Sequence, residues 1–182
     1  GEYTAIFDAD FVPPPDFLLR SMPFFVLQPD LGFVQARWGH LNPADSLVTR
    51  LQSIGINGHF MVEQSARNTN DLLMNFNGTA GIFRKQAVVE AGNWHDDTLT
   101  EDMDLSYRIQ LAGWRSRYLI DLVAPAEIPR DINAFKGQQF RWAKGSIQTA
   151  RKLLPSILKS NFRPFVKFQA FMHLTHYIIH PL

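Results

Sequence analysis

The chain of 182 residues contains no cysteine. Disulfide bridges, thiol nucleophiles and thiolate-held metals are therefore excluded, and the absence is compatible with a reducing compartment. Nor is either charge in excess: 18 basic residues oppose 17 acidic ones, spread along the chain. Composition thus offers no basic stripe for nucleic acid and no acidic tail. No internal repeat or low-complexity tract occurs. A start methionine and a signal peptide are also missing; the opening "GEYTAIF" enters an apolar strand at once, and a preceding half is expected. The most apolar stretch, "FVKFQAFMHLTHYIIHPL", is interrupted by Lys167, His173, His176 and His180 before it reaches the ~20 residues of a bilayer span. It reads as an interfacial helix or the start of a membrane helix, with a soluble helix packed on the core as the alternative. What is plentiful is apolar side chain, 46% of the chain, enough to give one ordinary domain a core.

The pattern alternates strands and helices. Tyr3 to Phe7 is a short buried strand ending at Asp8 and Asp10. A helix is expected from near Asp16, with Leu18, Leu19 and Met22 inward and Pro23 as its stop. Leu31 to Trp38 is a second strand. Ala44 to about Thr69 shows helical spacing weakened by Gly55 and Gly58, either one long helix or two short ones. After a glycine turn come a strand at Gly81 to Phe83 and a helix from Lys85 to Ala91, capped by Gly92. Thr100 is placed to cap a helix with Glu101 and Asp102 in its first turn, Leu105, Ile109 and Ala112 on one face and Gly113 at its end. "RSRYLID" is a further strand, followed by a loop through Pro125 and Pro129 and a helix from Asn133 to Leu154.

Three short patterns carry chemistry. In open α/β sheets ligands bind outside the carboxyl ends of strands, so Asp8 and Asp10 are placed to hold a metal over a ligand; as an alternative they only start a turn. Asp102 has a sufficient structural role in complementing the helix dipole. Gln138, Arg141 and Trp142 fall on one helix face, and Gln-x-x-Arg-Trp is expected only about 0.014 times by chance. The order is more specific than any single pattern: Asp-x-Asp after a strand, Thr-Glu-Asp about ninety residues on, and Gln-x-x-Arg-Trp about forty further.

That ordered set resembles the inverting, processive family 2 glycosyltransferases, the group of cellulose, chitin and hyaluronan synthases. The text around it, "VQARWGHLNP", "FNGTAGIFRK" and "TEDMDLSYRIQLAGW", is similar to the cellulose-synthase-like glucan and mannan synthases. The resemblance implies an α/β fold, the C-terminal part of a GT-A (Rossmann-like) catalytic domain over residues 1–150, then an interfacial helix and the start of a membrane region over 151–182. It implies that Asp8 and Asp10 hold Mg²⁺ or Mn²⁺ against the diphosphate of a nucleotide sugar. Asp102, supported by Glu101, matches the general base that deprotonates the acceptor hydroxyl. Gln138, Arg141 and Trp142 match the motif over the donor diphosphate and the acceptor end of the polymer. Asn77 and Gly78, in "FNGT", match a loop beside the acceptor sugar.

An unperturbed aspartate, with a pKa of about 3.9, is a weak base at neutral pH, so a metal-aided leaving group is expected to carry much of the catalysis. The expected partners are UDP-glucose or GDP-mannose, a growing β-linked polysaccharide and the membrane, without nucleic acid. The intact protein is expected to be multi-pass, with its catalytic domain cytoplasmic. The family's nucleotide-binding half is expected before Gly1 and its channel helices after Leu182, so the chain alone is not expected to turn over. Two other readings are a non-processive transferase acting on a lipid or short acceptor, and a carbohydrate-binding module without catalysis.

Overall fold

Extended apolar segments and amphipathic helices condense in a computed structural model around one four-stranded mixed sheet; residues 1–179 are described. The strand order is β1 (Tyr3–Ile6), β3 (Gly81–Arg84), β2 (Leu31–His40) and β4 (Arg115–Ala126). β3 runs antiparallel to both neighbours, whereas β2 and β4 are parallel. The first half of β2 is buried on both faces, as a central strand of apolar composition should be. Phe17, Phe25, Val34 and Leu122 pack on one side of the sheet, and Phe33, Phe60, Phe83 and Ile109 on the other.

Several elements depart from the spacing-based expectation. In α1 (Phe17–Leu27) the inward residues are Phe17, Ser21 and Phe25, while Leu18 and Leu19 are 54% and 79% exposed. Pro23 lies inside this helix rather than ending it. The carbonyl it fails to reach is that of Leu19, on the water-facing side, where the missing bond costs least. β4 continues beyond Asp121 through Pro125 to Ala126; it is an edge strand, where proline is tolerated, and the Pro125 carbonyl accepts from Val12 N–H at 2.9 Å. The segment from Leu47 to Thr69 is one continuous helical run. It consists of α2 (Leu47–Asn57), a π-helical turn (Gly58–Gln64) and α3 (Ser65–Thr69).

The helices behind the sheet are held to one another by polar contacts. α5 (Glu101–Leu111) starts after Thr100, as expected, but the Thr100 hydroxyl does not cap it; it meets the Thr149 hydroxyl at 3.2 Å instead. Leu105 and Ile109 are buried, while Ala112, expected with them, is exposed beyond the helix end. Asp104, without solvent exposure, takes the Arg108 Nε–H at 2.7 Å and lies 3.0 Å from Lys152 Nζ. Arg108 also donates to the Ala91 and Asn93 carbonyls. This charge network ties α5 to α4 (Lys85–Glu90) through its trailing loop and to α6 (Ile132–Lys159), which Asp131 caps through the N–H groups of Asn133 and Ala134.

α7 (Pro164–Thr175) packs Val166, Ala170 and Leu174 against Ala150, Leu153 and Ile157 of α6, and turns Phe165, Phe168 and Phe171 outward. Packing on the core and an apolar outer face thus coexist on one helix. Among the described residues no helix is long and apolar enough to cross a membrane. The last part of the segment expected to begin the membrane region, 180–182, lies outside the described residues.

Gly145 fixes the closest approach in this layer, because a methyl there would lie 2.8 Å from the Thr100 backbone nitrogen. Gly145→Ala is expected to cost about 1–3 kcal/mol by overpacking, measured as a lowered thermal midpoint of the full-length protein.

Candidate active site

The loop from Asn77 to Ala80 links the end of β1 to the start of α5. Its backbone enters the left-handed region twice, at Gly78 (φ 81°) and at Ala80 (φ 58°), an uncommon conformation for a residue with a side chain. What holds it there is Gln35, the one polar side chain in the doubly buried half of β2. Gln35 Nε2 donates to the Thr79 carbonyl at 3.0 Å and Oε1 accepts from Asn77 N–H at 2.9 Å. Ala80 N–H reaches Ile6, and Thr79 Oγ1 accepts the Asp8 N–H at 2.8 Å. The loop therefore sets where β1 releases its two aspartates.

Asp8 and Asp10 lie exposed at that strand end, and Asp102 is partly buried in the first turn of α5. The groups feel one another. Burial, then repulsion from Asp10 and Glu101, raises Asp8 above the usual carboxylate range. Asp102 is pushed up to about 7, chiefly by burial and further by Glu101 and Asp8, although the backbone N–H groups of Met103 and Asp102 itself favour its charged form. A methyl on Gly78 would sit 3.5 Å from Asp102 Oδ2, so the loop glycine leaves room beside the carboxylate. The expectation of an unperturbed weak base is thereby corrected: removal from water makes Asp102 a better base near neutral pH.

A cavity of about 590 Å³ opens on Asp102, Asn77 and Trp142, within the size range of small-molecule sites. Gln138 and Arg141 are not among its lining residues, and Gln139 and Phe135 of α6 are. Arg141 is exposed one position from Trp142 and makes no ion pair among the described residues. The motif is therefore split: its tryptophan faces the cavity, and its arginine remains available at the surface. Sequence reasoning missed another part of the lining, where His59 and Glu63 of the π-helical turn and His173 and His176 border the same space. Gly55, just before the widened turn, and Gly58, its first residue, were the trace of that turn in the sequence.

The donor set at Asp8 and Asp10 fits a hard divalent cation. It consists of carboxylate oxygens, with Glu101 and Asp102 near enough to repel Asp8, and none of the four forms an ion pair among the described residues. Oxygen-rich, uncompensated negative charge is what Mg²⁺ or Mn²⁺ neutralises. A second trio, His95, Asp97 and Asp104, has ligand atoms within 4.8 Å of one another. There Lys152 already provides the cation, at 2.7 Å from Asp97 and 3.0 Å from both His95 and Asp104.

Because Gln35 anchors the loop through both ends of its amide, Gln35→Leu keeps the volume and strands the Asn77 N–H and the Thr79 carbonyl. It is expected to cost about 1–3 kcal/mol for each group left unsatisfied, detected by thermal unfolding.

Known proteins share the fold and much of the sequence. A mannosyltransferase from Pyrobaculum calidifontis, solved in complex with GDP-Man and Mn²⁺, shares the fold with a TM-score of 0.64 at 19% identity, over 98% of this chain and 46% of that one. The probable glucomannan 4-beta-mannosyltransferase 10 of Arabidopsis thaliana is 42% identical over 182 residues, 98% of this chain and 33% of the relative. Glucomannan 4-beta-mannosyltransferase 2 of the same plant is 46% identical over 159 residues, 87% of this chain and 30% of the relative. The chain thus spans about a third of the length of these curated relatives. The family described as glycosyl transferase family group 2 matches residues 3–182, from the first strand through the C-terminal helices, and the chain belongs to that family.

Proposed function

We propose that this chain carries the metal, base and acceptor-binding parts of an inverting transferase that moves a mannosyl unit from GDP-mannose to a growing β-linked polysaccharide. The observation that carries the reading is Asp102: a carboxyl pushed up to about 7, on the wall of a cavity shared with Trp142, and close enough to Asp8 to be repelled by it. The choice of mannose over glucose rests on the names of the relatives.

In this reading Asp102 takes the proton of the acceptor hydroxyl while that oxygen bonds to the anomeric carbon. The bond from carbon to diphosphate breaks on the opposite face, so one displacement inverts the configuration. Asp8 and Asp10 would hold Mg²⁺ or Mn²⁺, which when bound neutralises charge on the leaving diphosphate. Arg141, exposed and without an ion pair among the described residues, offers phosphate a fork of donors, with Gln138 beside it on α6, and Trp142 gives a sugar ring a flat apolar face. Asn77 and Gly78 border the acceptor next to Asp102. Residues 1–150 are the catalytic part and 151–182 the interfacial part, whose outward phenylalanines on α7 face the membrane surface.

Asp102→Asn in the full-length protein is expected to lower mannosyl transfer by about 10²–10⁴-fold with donor binding retained, in an assay with labelled GDP-mannose and Mn²⁺. Transfer at the wild-type rate would instead favour a binding module. The same variant tests the electrostatics. The folded-state pKa of Asp102 lies above its ordinary value of 3.8, so the folded protein holds this proton more tightly. The resulting stability is present below about pH 4 and is lost as pH rises through about 7. In metal-free buffer near pH 7.5, Asp102→Asn is therefore expected to raise the thermal midpoint and to flatten its fall across that window.

A further inference from the structure

The cavity that Asp102 borders is also lined by the π-helical turn, whose wider pitch is often found at functional positions. Glu63 lies on this turn. Its Oε2 is 2.9 Å from His59 Nδ1, and its Oε1 is 3.1 Å from Arg67 Nε and 3.6 Å from His173 Nε2. The side chain nevertheless remains 41% exposed, and the space it borders is the cavity. Burial opposes its charge, but the hydrogen bond from His59 and the Arg67 guanidinium hold the carboxyl well below the usual range. A carboxylate offers about four lone-pair sites, and here two are taken within hydrogen-bond distance. His59 also reaches Asn77 Oδ1 at 3.0 Å, which couples this wall to the loop beside Asp102.

A carboxylate on the cavity that Asp102 also lines repels a diphosphate and suits a neutral, hydroxyl-rich ligand. Trp142 on the same cavity supplies an apolar face for a pyranose ring. We propose that Glu63 is an acceptor-binding residue: its carboxylate takes hydrogen bonds from hydroxyls of the saccharide chain in the cavity it shares with Asp102, and His59 is the positioning residue that holds it against the Asn77 loop. The assignment rests on reading the cavity as the acceptor site of a glycosyl transferase.

The test uses the full-length protein and two readouts, binding of a β-1,4-linked mannotetraose without donor, and GDP release from GDP-mannose with Mn²⁺ and no acceptor. Glu63→Gln is expected to weaken tetraose binding about tenfold, the loss of one charge-assisted hydrogen bond, with GDP release and its KM for donor unchanged. Glu63→Asp, which keeps the charge, is expected to recover part of the affinity. Unchanged tetraose affinity in Glu63→Gln, or no tetraose binding by the wild type, overturns the proposal. A parallel loss of GDP release overturns it too, because Glu63 would then serve the fold through Arg67. If Glu63→Gln does not fold, His59→Gln must show the same selective loss of tetraose affinity, and equal affinity there is likewise a refutation. A wild type that binds the tetraose but releases no GDP from GDP-mannose would refute the donor assignment while leaving Glu63 in place.

Discussion

A single buried amide, that of Gln35, sets the geometry on which the site depends. The doubly buried half of β2, Leu31 to Ala36, is apolar except at this position, and a polar group in such a place is costly unless every hydrogen bond is made. Gln35 makes them to the Asn77–Ala80 loop, which in turn receives the Asp8 N–H and leaves its glycine beside Asp102. Strand β1, the loop and helix α5 are thus referred to one point in the core. The three aspartates can be exposed or partly buried because the element that places them is not.

Around that point the structure treats charge in two contrasting ways. Asp104, fully buried, is compensated by Arg108 and Lys152, and the result is a structural tie between helices. Asp102, two residues earlier on the same helix, has no cation beside it among the described residues and is repelled by Glu101 and Asp8. Burying an unpaired carboxylate is unfavourable for the fold, and its concentration at a cavity mouth, next to exposed Asp8 and Asp10, is an arrangement that a metal and a substrate would relieve. The two aspartates of "EDMD" therefore differ within one helical turn: among the described residues Asp104 is compensated by cations and Asp102 is not.

Much of this was legible in the sequence. The strand ending at Asp8, the helix beginning at Glu101 and the glycine stops at Gly92 and Gly113 follow from composition and turn chemistry, and the ordered acidic and Gln-x-x-Arg-Trp patterns pointed to the family. The errors share one cause. Periodicity ranks faces by apolar content, but which face turns inward is decided by neighbours that a single segment does not show. Leu18 and Leu19 therefore lost to Phe17 and Phe25, and Thr100 found Thr149 instead of capping its helix. The wall formed by His59, Glu63 and His173 was hidden for a different reason: it is assembled by a π-helical turn and a helix more than a hundred residues later, a juxtaposition that no local spacing encodes.

The most direct test of the account is the position of Mn²⁺ in the full-length protein with GDP-mannose, located by anomalous scattering from crystals. The account predicts a manganese peak ligated by Asp8 and Asp10, with Asp102 facing the cavity and free of the metal. A peak instead at His95, Asp97 and Asp104 with Lys152 displaced, or a bound donor whose manganese touches neither Asp8 nor Asp10, would contradict it.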